Sequence, residues 1–364
     1  MKMKGFERAE QLQFLRFLAF MLIFLWHSDI WVFIDAPRGN GAAEAVSFFF
    51  MLSGLVAGYS AFGREITLGI KHIGVYIWKK LLKFYPLYFV TTVFTVMYSG
   101  IPLMIANHNF VSIKEPIIQL FKNLFLIQSW FPTNYFSYNG VGWFLSSILF
   151  LYLLNIPAIF VLNLIYNRKR KYIYFFLLIT LLISITITYC YCLQETNMEF
   201  WTYIFPPARM GEYFSSMIVG FVIRSILPKM TDSQIQKIIF TCLEIMAIGV
   251  SIYVLYIPVI SWQFRIVHWF LPNLYLLSIF AIGKGYISQI FKNKNLIILG
   301  NISFECFLIH QLIIRIYAEM SGVGNFSKLG NVFSIVFCLG ITVSSAYIVN
   351  GMPLRKKINP KIPA

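Results

Sequence analysis

The sequence predicts an all-α polytopic membrane protein with about ten transmembrane helices, and three observations carry that expectation. Of the 364 residues, 59% are hydrophobic and only 12% are charged, whereas a soluble domain carries about 25% charged residues. Mean hydropathy is +0.72, and the apolar residues gather into runs of about 20, the length that crosses a bilayer at roughly 1.5 Å of rise per residue. The net charge of +16 comes from short basic clusters between those runs, as in cytoplasmic membrane loops. It therefore points to a lipid bilayer and not to nucleic acid.

In chain order, Lys2, Lys4 and Arg8 precede a first span over 12–34, LQFLRFLAFMLIFLWHSDIWVFI. That run is too long for a signal-peptide core and lacks a small-residue cleavage site, so it is expected to stay as the first helix. A second span over 43–62 contains FFFMLSGLVAG, whose small residues allow close helix approach. Arg64, Lys71, Lys79, Lys80 and Lys83 then lie on an amphipathic stretch expected along the membrane surface, before a third span over 84–105. Residues 106–142 form the longest break. Its middle, IIQLFKNLFLIQSWF, is too short and interrupted to cross, so a re-entrant or interfacial segment is expected. Spans four and five, 143–166 and 172–193, flank the run Arg168, Lys169, Arg170 and Lys171. Five more follow at 209–227, 238–260, 266–282, 296–317 and 332–349.

Ten spans place both termini on one side. If that side is cytoplasmic, its loops hold 22 of the 30 Lys and Arg and the opposite side 7, with Arg16 inside the first span, as the positive-inside rule requires. All five cysteines fall in or at the end of apolar runs. They lack histidine partners at zinc spacing, so packing is their expected role and no metal is expected.

Arg16 and His27 are ionisable residues inside one apolar span. Eleven positions make about three helical turns, so the two side chains leave one face about 16 Å apart along the axis. Such residues face a protein interior or wet cavity and mark a functional site, or else Arg16 snorkels to headgroups and His27 is hydrogen-bonded structurally. Asp29 leaves a different face from His27, so an orienting carboxylate is expected from another helix, with Glu212 and Glu305 the candidates. Arg209 and Glu212, three apart, either pair with each other or meet a substrate.

The spacing from Arg16 to His27, followed by FFFMLSGL at 48–55, resembles the membrane-bound acyltransferase 3 family of bacteria, which O-acylates surface and secreted carbohydrates. Further resemblances follow in order: KKLLKFYPLY at 79–88, WFLSSILFLYLL at 143–154, PARMGEYFSSMIVG at 207–220 and ISFECFLIHQLI at 302–313. Two departures stand out. Ser47, with Glu44 one turn earlier, occupies the place of an acidic residue often found before the Phe pair, and Ser147, Ile148 and Leu149 follow where many members carry a glutamate. The length leaves no room for the extra soluble domain of many members, so a single transmembrane domain over 1–364 is expected.

The resemblance implies an inner-membrane, multi-pass O-acyltransferase using acyl-CoA, most often acetyl-CoA, from the cytoplasm. The acceptor is a hydroxyl of a cell-surface or lipid-linked carbohydrate, polyisoprenyl-linked glycans included. An alcohol attacks an acyl group readily once its proton is removed, and a neutral imidazole is the usual remover, so His27 is the candidate base, directly or through an acyl-His relay. Arg16 is placed to meet an anionic donor as a bidentate guanidinium, and Lys79, Lys80 and Lys83 either hold nucleotide phosphate or anchor the protein electrostatically. His310 binds acceptor, acts as a second acid/base or is structural. Ser53, Trp143 and Ser146 are supporting candidates. A transporter or flippase of a lipid-linked saccharide is the alternative, with Arg16, His27, Arg209 and Glu212 lining a polar path. A membrane scaffold is a third reading.

Overall fold

The computed structural model describes residues 9–28, 41–64, 66, 68–100, 110–168, 172–173, 179–180, 197–257, 266–321 and 332–352. Among them the regular structure is helical: α1 (Gln11–His27), α2 (Gly41–Ala61), α3 (Ile70–Thr95), α4 (Phe110–Leu124), α5 (Gly142–Arg168), α6 (Met210–Ile226), α7 (Gln234–Tyr256), α8 (Leu271–Ile282), α9 (Tyr286–Phe291), α10 (Lys294–Met320) and α11 (Val332–Gly351). Seven helical stretches, 41–61, 70–98, 142–167, 206–229, 234–256, 294–320 and 332–351, are long and apolar enough to cross a membrane, and two shorter apolar ones accompany them at 11–27 and 268–282. The expected span over 172–193 lies almost wholly outside the described residues.

Two expectations change. The first span was expected to reach residue 34, but α1 stops at His27, where the Ser28 N–H closes on the Phe24 carbonyl; residues 29–40 lie outside the description. The basic stretch over 64–83 is not a separate surface helix, because α3 runs unbroken from Ile70 through it. The reason is an uninterrupted inward stripe at four-residue spacing, Tyr76, Lys80, Phe84 and Tyr88, while Lys79, Lys83 and Pro86 sit on the exposed side. Residues 106–142 hold the amphipathic helix α4 and a coil folded back onto the bundle. Polar Gln119 and Asn123 are buried against it, while apolar Ile117 and Phe121 face outward, the arrangement suited to an interface with lipid.

Packing is tightest between α2 and α6. A Cβ on Gly54 or Gly58 would overlap the backbone carbonyls of Tyr213 or Met217, and one on Gly220 would overlap that of Leu55. Without water to drive association in lipid, such backbone contact supplies the attraction. α1 meets α10 in the same way, since Gly300 lies against the Gln13 carbonyl. On the far side, Glu244 of α7 accepts the N–H groups of Ile287 (3.0 Å) and Ser288 (3.3 Å) and the Ser288 hydroxyl, which ties the unanticipated short helix α9 to the bundle. The outer surfaces of α3, α7 and α11 expose Phe89, Phe94, Ile238, Ile245, Phe333 and Phe337, as expected of faces turned to lipid. Cys306 and Cys338 are buried as packing residues, whereas Cys242 is exposed on α7.

Gly58→Ala should destabilise the protein by about 1–3 kcal/mol through overpacking, seen as a lower melting temperature in detergent. Gly249→Ala, which meets nothing within 4 Å, should leave it unchanged; equal melting of the two variants would refute the close crossing.

Candidate active site

The face shared by Arg16 and His27 turns toward α10. His27 Nδ1 lies 2.8 Å from the Ile23 carbonyl, which can only accept, so the ring hydrogen is on Nδ1 and Nε2 is the lone pair. That nitrogen faces the Gln311 carboxamide, whose Nε2 donates across 2.7 Å. His310 is wholly buried, with Nδ1 2.8 Å from the Phe307 carbonyl and Nε2 3.4 Å from His27 Nδ1. The rings stand edge to face with centroids 5.1 Å apart. The sequence pattern therefore leads to two imidazoles and an amide at the C-terminal end of α1.

The expected orienting carboxylate is not what these contacts bring to His27. Glu212 is taken by Arg209 and Ser47, and Glu305 sits within electrostatic range of Arg16. The group that meets His27 Nε2 is the Gln311 amide.

The coil over 125–141 covers this cluster. Arg315 donates to the Tyr138 carbonyl (2.6 Å), and Asn139 donates to Thr91 Oγ1 (2.8 Å) and the Leu308 carbonyl (3.3 Å). Left-handed backbone at Leu126 (φ 55°), Asn134 (φ 58°) and Tyr138 (φ 57°) lets the coil double back. Tyr135 donates to Glu199 Oε2 (3.4 Å). Burial raises both groups, the Tyr135 phenol to about 12 and the Glu199 carboxyl above its ordinary range, which keeps the phenol a donor.

At the other end of the same face, Arg16 is half-buried and donates to Gln13 Oε1 (3.0 Å), with Glu305 and Tyr152 as its charge neighbours. Lys80 joins it. Its ammonium lies 4.5 Å from the Tyr152 ring centroid and 5.2 Å from that of Tyr76, held by cation–π attraction. Asn155 bridges Tyr76 OH (2.8 Å) and Tyr213 OH (3.1 Å). Of the three candidate lysines, Lys80 lies within electrostatic range of Arg16, and Lys79 and Lys83 are exposed.

A buried ionic cluster lies where α2, α5 and α6 meet. Pro206–Arg209 form one tight turn leading into α6, which points the guanidinium back into the core. Arg209 donates through Nε to the Tyr203 carbonyl (2.8 Å) and through Nη1 to Glu212 (2.8 Å), and Ser47 Oγ donates to the other carboxylate oxygen (2.6 Å). The guanidinium lies over Tyr203 (4.3 Å), Phe50 (4.9 Å) and Trp143 (5.8 Å). Thus Ser47 supplies a hydrogen bond to an acid carried by another helix. Ser146 accepts from Ser129 of the folded-back coil, and Ser53, half-buried on α2, joins none of these clusters among the described residues. Sequence reasoning missed Gln311, Tyr76, Tyr152 and Asn139; the only local signal was Gln311 beside His310 in LIHQ.

Arg209→Met and Glu212→Leu should each cost about 3–5 kcal/mol by stranding a buried charge, and the double substitution should cost less than either. Thermal unfolding in detergent measures this; additive losses would show that the two charges do not act as a pair.

The described residues contain no group of three or more His, Cys, Asp or Glu able to hold a metal. No curated protein and no solved structure matches the chain. A family model described as an acyltransferase domain matches residues 10–351, which take in Arg16, His27 and the ionic cluster of Arg209 and Glu212. A multi-pass membrane protein with this match over nearly its whole length belongs to the acyltransferase 3 family and is an acyltransferase.

Proposed function

We propose that this acyltransferase moves an acyl group, acetyl in the first instance, from cytoplasmic acyl-CoA to a hydroxyl of a cell-surface or lipid-linked carbohydrate. It would do so in the inner membrane, with ten spans and both termini in the cytoplasm. The observation that supports this best is the contact of His27 Nδ1 with the Ile23 carbonyl at 2.8 Å, which turns Nε2 toward a reacting group at the opposite end of α1 from the Arg16 and Lys80 cations.

Each group has a role in this reading. Arg16 and Lys80 attract the anionic donor at the cytoplasmic end, while the exposed Lys79 and Lys83 add to the positive field. The aromatic rings around Lys80 keep that ammonium in place when no donor is bound. At the other end His27 Nε2 removes the acceptor hydroxyl's proton as its oxygen bonds to the acyl carbon. The carbon–sulfur bond then breaks, and the proton passes from His27 to the departing thiolate, so ester and free thiol result. His310, with its Nε2 beside the His27 Nδ1–H, steadies the ring tautomer. Arg209 and Glu212 are placed to hold α2, α5 and the coil around the acceptor.

Membranes incubated with radiolabelled acetyl-CoA and their own glycans should label carbohydrate in the wild type. His27→Ala should lower transfer about 10²–10⁴-fold, and Arg16→Ala should raise KM for acetyl-CoA about 10–100-fold by removing a charge-assisted contact. Undiminished labelling in a well-inserted His27→Ala variant would end this reading.

A further inference from the structure

Resting on the acyl-transfer reading above, we propose that Gln311 is a catalytic residue whose carboxamide N–H binds the acyl carbonyl oxygen during attack. At rest its Nε2 donates across 2.7 Å to the nitrogen that must act as base. The lone pair is thus capped by a donor, and an acceptor hydroxyl can reach it only by taking that donor's place. A carboxamide carries two hydrogens on one nitrogen and no exchangeable charge. Once displaced from His27, it needs an acceptor, and the reacting acyl group supplies one. The hydroxyl oxygen at His27 Nε2, the carbon it attacks and the carbonyl oxygen on that carbon all fall within about 3 Å of one another, the separation an oxyanion donor requires.

Two further features bear on how the amide can move. Its Oε1 is buried with no hydrogen-bond partner, so the carbonyl side of the carboxamide is not tied elsewhere. On that side it packs against Gly140, where a Cβ would lie 2.7 Å from Oε1. The coil backbone therefore limits how far the amide can swing, while the side chain as a whole stays half-buried and open to a ligand. In the step itself the hydroxyl oxygen bonds to the acyl carbon, its proton moves to His27 Nε2, and the carbonyl π pair moves to oxygen, where Gln311 N–H meets the developing charge. Return of that pair expels the thiolate, which takes the proton from His27.

The test uses the full chain in membranes with radiolabelled acetyl-CoA and the endogenous glycans as acceptor. Gln311→Glu keeps the shape but offers no N–H and meets His27 Nε2 only when that nitrogen is protonated, and Gln311→Met keeps the length without a polar head. Both should lower kcat about 10²–10³-fold with KM for acetyl-CoA unchanged. A Gln311→Glu variant within about threefold of wild type overturns the proposal, because transfer would then proceed without the amide N–H; that variant decides even if Gln311→Met fails to insert. Transfer lost in His27→Ala but kept in Gln311→Glu removes this inference alone. No transfer by the wild type removes the acyl-transfer reading and this inference with it.

Discussion

At the crossing of α1 and α10, Gly300 lies against the Gln13 carbonyl so closely that any Cβ there would overlap the Gln13 backbone. The two helices touch backbone to backbone, and their relative height and rotation are fixed at that point. Everything chemical on α1 follows from it. Arg16, one turn above Gln13, comes within reach of Glu305, and His27, four turns above, meets His310 and Gln311. A larger residue at 300 would slide or tilt α1, and the imidazole would lose the partners that set its tautomer.

The bilayer makes these contacts consequential. In lipid, an unsatisfied polar group costs several kcal/mol, and the polar side chains of the core are accordingly chained together. Ser47, Glu212, Arg209 and the Tyr203 carbonyl form one run, and Asn139, Thr91 and the Leu308 carbonyl another. Three aromatic rings around Arg209 replace part of the hydration that its guanidinium gives up. Such networks specify one arrangement, since each bond made satisfies a group that would otherwise be stranded. They also tie the folded-back coil to α3, α5 and α10, so the cover over the two histidines is part of the core.

Much of the architecture was legible because it depends on local composition. Apolar runs of bilayer length gave α2, α5, α6, α7, α10 and α11 to within a few residues. The α3 region was misread because lysines were counted as a surface signal, when one of them, Lys80, belongs to an inward stripe with Tyr76, Phe84 and Tyr88 and is carried by two aromatic rings. The site was legible in part for the same kind of reason. The spacing of Arg16 and His27 on a single helix is a matter of 3.6 residues per turn, whereas the expectation of a carboxylate beside His27 depended on how distant helices rotate.

The sequence by itself determined that this is a helical membrane protein, that Arg16 and His27 leave one face of the first helix, and which family pattern the chain carries. Periodicity and hydropathy act over a few turns, and a single strand of residues contains them in full. The tertiary structure alone decided that the groups meeting His27 are His310 and Gln311, some 283 and 284 positions away, and that Lys80, not Lys79 or Lys83, joins Arg16. The pairings of His27 depend on where the backbones of α1 and α10 come into contact, and that point is set by Gly300 and the Gln13 carbonyl.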